Sequence, residues 1–276
     1  MITTEVMGGL GNQLFQIFNL ISYCLDHNNI FVLEKRESLR GPIRNYNVYW
    51  DSVFKNIHNH CKKSKFNFPV IRENSFTFAR IPEIPLNKHV KFFGYFQSYK
   101  YFQHNFEKIN DLLDFPSQKK EILENNPLDY ENMISIHFRI GDYAQLQGYY
   151  PLMTPEYYMR CIDYIIQKSN RTDWKFLVFC EKDDLHIVES SLSIIKQKHP
   201  EINFIICNHE LKDWQQMLQM SLCKHNIIAN SSFSWWAAYL NSEKEKIVCR
   251  PNIWFGEKLN HKTNDLFPCD WIEINA

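Results

Sequence analysis

The chain has 276 residues, which is nearly twice the roughly 150 residues of an average domain and predicts two compact lobes. Hydrophobic residues make up 45% of the chain and charged residues 22%, so the chain can build a core and is not a disordered or coiled-coil protein. Lysine plus arginine and aspartate plus glutamate both number 31, and this zero net charge argues against general nucleic-acid binding through phosphate neutralisation.

The sequence also indicates no membrane span, signal peptide or zinc site. No apolar run approaches the about 18 residues of a spanning helix, and the N-terminus lacks a basic segment. The eight cysteines include no Cys-x-x-Cys pair, and several lie within apolar runs, as Cys180 and Cys207 do. Zinc sites usually contain close ligand pairs, so we expect buried, reduced thiols and a soluble, cytoplasmic protein.

The first half of the chain opens with a strand–loop–helix–strand unit. Its expected elements are a strand at 2–7, the GGLGNQ loop at 8–13, an apolar helix from 14, a strand at 30–34, an irregular stretch at 36–90, an extended aromatic run at 90–102 and a helical stretch to about 125. The irregular stretch carries no recognisable motif.

The second half alternates strands with helices. Strand-like apolar runs lie at 133–138, 175–180, 203–207, 226–229 and 246–249, and helical stretches lie at 155–168, 184–198, 213–224 and 232–241. The first helix opens with Thr154 as N-cap and Pro155 in its first turn. This alternation predicts an α/β fold with a parallel sheet covered on both faces. The polar segment at 124–132 divides the chain into lobes 1–130 and 131–276.

Ligands of open α/β sheets gather at the carboxyl ends of strands, so segments that follow strands are the candidate sites. The first is the glycine-rich stretch 8–13, where the backbone can approach a ligand closely and a helix N-terminus favours an anion. We expect Asn12 and Gln13 to hydrogen-bond substrate. A tight turn without a ligand is the alternative.

A dinucleotide-binding site is a further interpretation of the same segment. Gly9 and Gly11, with Glu34 at the end of the next strand, form part of a dinucleotide fingerprint. Leu14 occupies the third glycine position, where a side chain hinders close packing of helix and strand.

The second candidate is the segment HFRIGDY, which begins at His137. In an extended strand His137 and Arg139 project to the same face, and together they predict a cationic pair that suits a diphosphate. The alternative is that Arg139 pairs with a structural carboxylate such as Asp142 and that His137 belongs to the core.

The third candidate is the segment NSSFSWW, which begins at Asn230. Ser231 and Ser232 present hydroxyl and backbone N–H groups to an anion at the start of a helix. The alternative is ordinary N-capping by Ser232. Trp235 and Trp236 lie inside the helix, so we expect them to pack rather than to stack on a sugar.

The second and third candidates both suit a diphosphate. Asp-x-Asp, which holds a divalent metal in many nucleotide-sugar transferases, occurs nowhere in the chain. We therefore expect Arg139 and helix dipoles to neutralise a departing diphosphate, with no metal or other cofactor.

Four stretches together resemble glycosyltransferase family 11, the α-1,2-fucosyltransferases that use GDP-β-L-fucose. They are GGLGNQLFQ at 8–16, GYFQSYKYF at 94–102, HFRIGDY at 137–143 and MSLCKHNIIANSSFSWWAAYLN at 220–241. The resemblance implies a GT-B-like fold of two Rossmann-like lobes with a cleft between them. It implies inverting, metal-free transfer of L-fucose to the 2-hydroxyl of a galactose-terminated glycan acceptor.

The resemblance also implies roles for individual residues. The N-terminal lobe would take the acceptor, which we expect the irregular stretch at 36–90 to recognise, and the C-terminal lobe would bind GDP-fucose. Arg139, His137 and Asn12 would be catalytic. The donor-binding residues would be Gly11, Gln13, Asp142, Asn230, Ser231, Ser232 and Phe233.

One position departs from the family pattern. Members usually carry two adjacent arginines in the second motif, and here the second is Ile140, which by strand alternation points away from Arg139. Two alternatives to a fucosyltransferase follow. The isoleucine at this position suggests a catalytically silent relative that binds a nucleotide sugar. The partial dinucleotide fingerprint suggests a dinucleotide-dependent oxidoreductase.

Overall fold

The computed structural model describes residues 1–41 and 44–276. Two compact units are formed, one of Met1–Gln118 with His261–Pro268 and the other of Lys119–Asn260 with Cys269–Ala276. This division differs from the predicted lobes 1–130 and 131–276. It falls after Gln118, inside a helix, and the short segment His261–Pro268 belongs to the first unit. Positions 42 and 43, within the stretch expected to recognise the acceptor, lie outside the described residues.

The first unit is built on parallel strands. They are β1 (Ile2–Thr4), β2 (Leu33–Glu34), β3 (Cys61–Lys62), β4 (Val70–Arg72) and β5 (Val90–Phe93). Strands β1, β5 and β4 form one sheet in that order, and β2 pairs with β3. Because β5 pairs in parallel with both of its neighbours, the carboxyl ends of β1, β4 and β5 meet at one edge. We call this edge the unit 1 edge.

Helix α1 (Leu10–Asp26) is buried on nearly all of its surface. The predicted loop at 8–13 is shorter than expected, because the strand-to-helix turn is completed at Gly8, with a φ of +75°, and the N-cap Gly9. Asn12 and Gln13 therefore lie in the first turn of the helix. The predicted helix that reaches 125 is two helices, α2 (Phe106–Leu113) and α3 (Phe115–Asn125), because Asp114 takes a left-handed conformation between them.

The second unit has the predicted alternation of strands and helices. Its strands are β6 (Met133–His137), β7 (Lys175–Phe179), β8 (Asn203–Ile206), β9 (His225–Ile227), β10 (Val248–Pro251) and β11 (Ile272–Ile274), and its further helices are α4 (Pro155–Ser169), α5 (Leu185–Lys198), α6 (Asp213–Met220) and α7 (Ser232–Leu240). Thr154 caps α4 by accepting a hydrogen bond from the N–H of Tyr157, as predicted. The last strand, β11, was not expected.

All neighbouring strands of the second unit are parallel, in the order β11-β10-β9-β6-β7-β8. Starting from β6, the chain adds β7 and β8 on one side and then β9, β10 and β11 on the other. This is the strand order of a Rossmann-type doubly wound sheet, whose switch point lies between β6 and β9. The predicted α/β class is confirmed.

Alternate residues of β6 face opposite layers. Ile134, Ile136, Phe138 and Ile140 belong to one core cluster with buried residues of α4 and α5. On the opposite face the ring of His137 lies 5.5 Å from the ring of Phe233 in α7. Helices thus cover both faces of the sheet, and the alternation leaves the odd-numbered residues of β6 on the side of α7.

Candidate active site

The switch point brings the second and third sequence candidates together. His137 ends β6, and Asn230 and Ser231 follow β9, its neighbour in the sheet. Diverging connections at a switch point leave a crevice outside the carboxyl ends of the two strands, which is where α/β sheets bind ligands. The side chains there form a site within the second unit.

His137 does not form the predicted cationic pair with Arg139. Its side chain is 94% buried, with 6% exposed, and burial, followed by the positive charge of Arg139, lowers the pKa of the imidazole to about 3. The ring is therefore neutral at physiological pH. Among the described residues, its buried Nδ1 atom has no hydrogen-bond partner.

Arg139 forms ion pairs with two carboxylates. One amine group contacts Asp142 and the other contacts Glu181, which follows β7. Burial lowers the pKa of the guanidinium, but Tyr143 and the two carboxylates raise it by more. The net effect is a raised pKa, so the group stays charged. The alternative that Arg139 pairs with Asp142 is thus realised, with a second carboxylate that the sequence did not reveal.

The exposure of the two carboxylates differs. The Asp142 side chain is 16% exposed and Glu181 is 43% exposed, whereas Arg139 is 14% exposed. An exposed ion pair contributes little to stability, so a ligand anion can replace Glu181 at a small cost. Asp142 would continue to orient the guanidinium.

Tyr143 connects Arg139 to the segment that follows β9. The guanidinium lies over the Tyr143 ring, 4.9 Å from its centroid, and the Tyr143 hydroxyl donates to the carbonyl of Asn230 at 3.3 Å. The ring of Tyr150 stacks on that of Tyr143, with the two centroids 4.7 Å apart. The charge of Arg139 is therefore fixed relative to the start of α7.

The start of α7 follows the predicted pattern with one correction. Ser231, rather than Ser232, is the N-cap, and its hydroxyl accepts a hydrogen bond from the N–H of Phe233. Ser232 and Phe233 are partly exposed at the first turn. Trp235 and Trp236 are completely buried, which confirms that they pack in the core.

Two expected donor-binding side chains have their amide nitrogens committed to the protein, while their buried amide oxygens have no partner among the described residues. Asn230 is 1% exposed, and its amide nitrogen donates to the carbonyls of Pro151 and Trp254. Gln13, in the first unit, is completely buried and donates to the carbonyls of Gly8 and Asn47. Both are therefore supports for the loops beside them.

Asn12 and its neighbours lie at the unit 1 edge. Gly11 is buried in the first turn of α1, and Asn12 is partly exposed beside it. The Asn12 Oδ1 atom accepts a hydrogen bond from Gln97, which follows β5, at 2.7 Å. Of the residues expected at this edge, Asn12 is the one whose side chain is both polar and partly exposed.

Glu34 does not provide the free carboxylate that a dinucleotide site requires. It contacts Lys91 at 2.7 Å and Arg36 at 2.8 Å, and it accepts a hydrogen bond from the N–H of Phe66. Burial raises the pKa of Glu34, but these three groups outweigh it and bring the pKa down to about 2. The carboxylate expected to bind ribose is thus occupied within the unit.

Tyr143, Glu181 and Gln97 are site residues that sequence reasoning missed. Tyr143 and Gln97 lie inside recognisable motifs, HFRIGDY and GYFQSYKYF, so motif membership was the available signal. Glu181 had no such signal, because only the pairing of β6 with β7 brings it to Arg139.

Fold and site together define an α/β protein with an arginine and a helix start at the switch point of a parallel sheet. The chain belongs to glycosyl transferase family 11, whose model matches residues 1–275, and it is therefore a glycosyltransferase. Ile140, in the position of the family's second arginine, is 8% exposed and packs in the core, as strand alternation predicts.

Relatives cover nearly the whole chain. An α-1,2-colitosyltransferase from Escherichia coli is 27% identical over 99% of this chain and 98% of its own length. The O-antigen biosynthesis glycosyltransferase WbnK from the same species is 27% identical over 97% of this chain and 98% of its own. A galactoside 2-α-L-fucosyltransferase from Caenorhabditis elegans is 24% identical over 99% of this chain and 79% of its own length.

Among solved structures, POFUT1 in complex with GDP superposes with a TM-score of 0.49 at 11% identity, over 90% of this chain and 97% of that chain. In the described part of this chain, no helix combines the length and apolarity needed to cross a bilayer.

Proposed function

We propose that this glycosyltransferase moves L-fucose from GDP-β-L-fucose to the 2-hydroxyl of a galactosyl acceptor, with inversion to an α-1,2 linkage. The observation that carries the proposal is the fixed position of Arg139 relative to the start of α7, through Tyr143 and Asn230. A guanidinium and a helix N-terminus that follow neighbouring strands at one switch point suit the diphosphate of a nucleotide sugar. The second unit would bind the donor and the first unit the acceptor.

In the proposed reaction the acceptor oxygen attacks the anomeric carbon on the face opposite GDP. A new carbon–oxygen bond forms while the bond from the anomeric carbon to the β-phosphate oxygen breaks, and its electron pair leaves with GDP. The acceptor hydroxyl loses its proton in the same step, and the departing diphosphate can serve as the base that takes it up. The leaving diphosphate gains negative charge in an oxocarbenium-like transition state. Arg139 and the first turn of α7, with Ser231, Ser232 and Phe233, would stabilise that charge.

Donor binding would exchange one anion for another on Arg139. Without donor the cluster of Arg139, Asp142 and Glu181 carries one positive and two negative charges, which opposes a diphosphate. We infer that the diphosphate displaces the exposed Glu181 and leaves Asp142 in place. The donor thus replaces a carboxylate of the protein rather than adding to it.

His137 would act as a neutral hydrogen-bonding group. A buried ring nitrogen without a partner is costly unless a ligand satisfies it. A neutral imidazole can donate one hydrogen bond to a donor oxygen without adding a buried charge.

The proposed mechanism assigns charge neutralisation to Arg139 and the helix start, so it requires no metal. The test is transfer activity after extensive dialysis against EDTA, compared with the same sample given Mg²⁺ or Mn²⁺. Equal rates support the proposal, and activity that depends on added metal contradicts it.

Colitose transfer is a second candidate, because a colitosyltransferase matches the chain along almost its full length at 27% identity. Colitose lacks one hydroxyl group of fucose, so both donors would place the same diphosphate on Arg139. A site that hydrogen-bonds that hydroxyl would reject the deoxy donor strongly.

Donor and acceptor profiling tests both candidates. Purified enzyme is incubated with GDP-fucose or GDP-colitose and with galactose-terminated acceptors, and the linkage of each product is determined by NMR. An α-1,2-fucosyl product supports the first proposal. Exclusive use of GDP-colitose favours the second, and GDP-fucose binding in calorimetry without any transfer indicates a catalytically silent relative.

A further inference from the structure

Tyr95 is an exposed aromatic side chain at the unit 1 edge. It follows the end of β5 by two residues, and its side chain is 39% exposed. Among the described residues, Phe78 and Tyr149 are the other aromatic side chains that are exposed to this degree. Tyr95 differs from both in its place, because parallel sheets bind ligands at the edge where the carboxyl ends of their strands meet.

The turn that carries Tyr95 is held by Glu73, which follows β4. The Glu73 Oε2 atom accepts hydrogen bonds from the N–H groups of Tyr95 at 2.8 Å and Phe96 at 3.0 Å. Phe96 has a left-handed φ of 51°, which a non-glycine residue keeps only where its surroundings fix it. A Cβ atom added at Gly94 would lie 2.3 Å from the Glu73 Cβ atom, so only glycine allows this approach.

The residue after Tyr95 anchors the same turn from the core. The Phe96 side chain is buried, and its ring lies 5.5 Å from that of Tyr101 and 6.0 Å from that of Phe92. An exposed aromatic residue thus lies on a backbone that is fixed by hydrogen bonds and by packing. A rigid support of this kind lowers the entropy that a ligand contact costs.

Tyr46, from the irregular stretch at 36–90, is a neighbour of Tyr95. Burial raises the pKa of the Tyr95 hydroxyl, and the nearby Tyr46 raises it further. The Tyr46 ring lies against two glycines, because a Cβ atom added at Gly9 would lie 3.8 Å from it and one added at Gly41 would lie 2.3 Å from it. Partial burial of the Tyr95 hydroxyl favours the ring, rather than the hydroxyl, as the group that contacts a ligand.

The chemistry of an exposed aromatic ring suits a galactosyl residue. A glycosyltransferase binds an acceptor as well as a donor, and the proposed donor site lies in the second unit. Galactose carries its axial hydroxyl on one face of the ring, which leaves a run of C–H groups on the opposite face. Stacking that face on an aromatic ring removes apolar surface from water and leaves the hydroxyl groups free to form hydrogen bonds.

We infer that Tyr95 determines acceptor affinity by stacking its ring on the apolar face of the galactosyl residue. Glu73 is the positioning residue that holds the turn beneath it. This inference rests on the proposed function, in which the first unit takes a galactosyl acceptor. It assigns Tyr95 to acceptor binding and not to donor binding or to the chemical step.

The decisive variant is Tyr95→Ala, assayed with saturating donor and varied galactosyl acceptor. Its KM for the acceptor should rise about 10-fold, while kcat stays within about twofold of the wild-type value. Stacking is equally strong before and in the transition state, so its loss changes KM rather than kcat. Tyr95→Phe keeps the ring and should retain the wild-type KM, whereas Tyr95→Leu, which is apolar without an aromatic face, should resemble Tyr95→Ala.

Donor binding and stability provide the readouts that separate this role from a structural one. Affinity for GDP in calorimetry should be unchanged in the three Tyr95 variants, and their melting temperatures should stay within about 3 °C of the wild-type value. Tyr149→Ala is the matched control, because it removes an equally exposed ring from the second unit. It should leave the KM for the acceptor unchanged.

The positioning role of Glu73 is tested by a double-mutant cycle. Glu73→Ala should raise the KM for the acceptor by a similar factor, because the turn loses two hydrogen bonds. The double variant Tyr95→Ala/Glu73→Ala should be no worse than Tyr95→Ala alone, since Glu73 acts through the Tyr95 ring. Glu73→Gln keeps an acceptor oxygen and should restore the wild-type KM.

The inference is overturned if Tyr95→Ala keeps the wild-type KM for the acceptor, if Tyr95→Phe loses as much affinity as Tyr95→Ala, or if Tyr149→Ala shows the same rise. Additive effects in the double variant would refute the role of Glu73. Tyr95 is exposed, so its variants decide the question even if Glu73→Ala fails to fold. Failure of the proposed function is recognised separately, because the wild-type enzyme would then transfer no fucose to galactosyl acceptors.

Discussion

Each unit contains a partly buried group of charged residues near the carboxyl ends of its strands, and the two groups differ in charge balance and in the exposure of their carboxylates. In the first unit Glu5, Glu34, Arg36 and Lys91 form what we call the closed cluster, with contacts of 2.6–3.3 Å. It has two charges of each sign. Its carboxylates are shielded, with Glu34 7% exposed and Glu5 19% exposed, and Arg36 at 37% is its most exposed member.

In the second unit Arg139, Asp142 and Glu181 form the open cluster. It has one positive and two negative charges, and one of its carboxylates, Glu181, is 43% exposed. A charge-balanced group whose carboxylates are shielded has no need of a ligand anion, whereas a group with excess negative charge and an exposed carboxylate can exchange that carboxylate for a ligand anion. We therefore expect the closed cluster to govern stability and the open cluster to govern donor binding.

The largest expected effect is that of Arg139→Ala. Loss of the guanidinium should lower kcat for transfer by about 10²–10³-fold, the scale of one preorganised donor that stabilises developing charge. Arg139→Lys should recover little, because an ammonium cannot contact a diphosphate through two parallel bonds. Initial rates with the donor that profiling identifies provide the measurement, and near wild-type turnover in Arg139→Ala would refute the assigned role.

The counterpart in the closed cluster is Lys91→Met. Removing one partner of a buried ion pair should lower the free energy of unfolding by about 3 kcal/mol, measured by urea denaturation. GDP affinity should not change, because every member of the closed cluster lies in the first unit. A variant that kept its stability and lost GDP binding would reverse the roles assigned to the two clusters.

A smaller expected effect is the loss of stability at low pH that His137 causes. Burial keeps His137 neutral, with its pKa lowered to about 3, while the unfolded chain takes up this proton near pH 6.5. Between these values the unfolded state binds more protons, so the free energy of unfolding falls as pH falls, by about 1.4 kcal/mol per pH unit below 6.5.

His137→Gln should remove the contribution of this imidazole to the pH dependence of the free energy of unfolding. Urea denaturation at about pH 6.5 and about pH 5.5 would show it as a smaller difference than in the wild type. His225→Gln is a matched control, since burial also lowers the pKa of His225, to about 4, and it should reduce the pH dependence similarly while leaving transfer activity intact. An unchanged pH dependence in His137→Gln would mean that the imidazole is not held neutral.

The smallest expected effect is that of Glu181→Gln. Without its competing carboxylate, Arg139 should bind GDP about twofold to fivefold more tightly, in line with the small free energy of an exposed ion pair. Calorimetry with GDP measures it, and Glu189→Gln, an exposed position on α5, serves as control. Weaker GDP binding in Glu181→Gln would show that Glu181 supports Arg139 rather than competing with the donor.

The sequence predicted several features of the fold correctly because they depend on local patterns. Alternating apolar strands and helices predicted the parallel sheet of the second unit, and Thr154 and Pro155 predicted the start of α4. Strand alternation placed Ile140 in the core. The break at Asp114 was missed, because a single left-handed residue leaves no trace in the hydrophobic pattern.

By itself, the sequence determined most strands and helices of the second unit and the segments that follow them, since these depend on side-chain periodicity and capping within a few residues. Only the tertiary structure decided that His137 is neutral, that Glu181 contacts Arg139 and that Gln97 donates a hydrogen bond to Asn12. The physical reason is that burial and electrostatic pairing depend on which strands become neighbours. Glu181 lies 42 residues from Arg139 and Gln97 lies 85 residues from Asn12, and no local pattern encodes contacts over such separations.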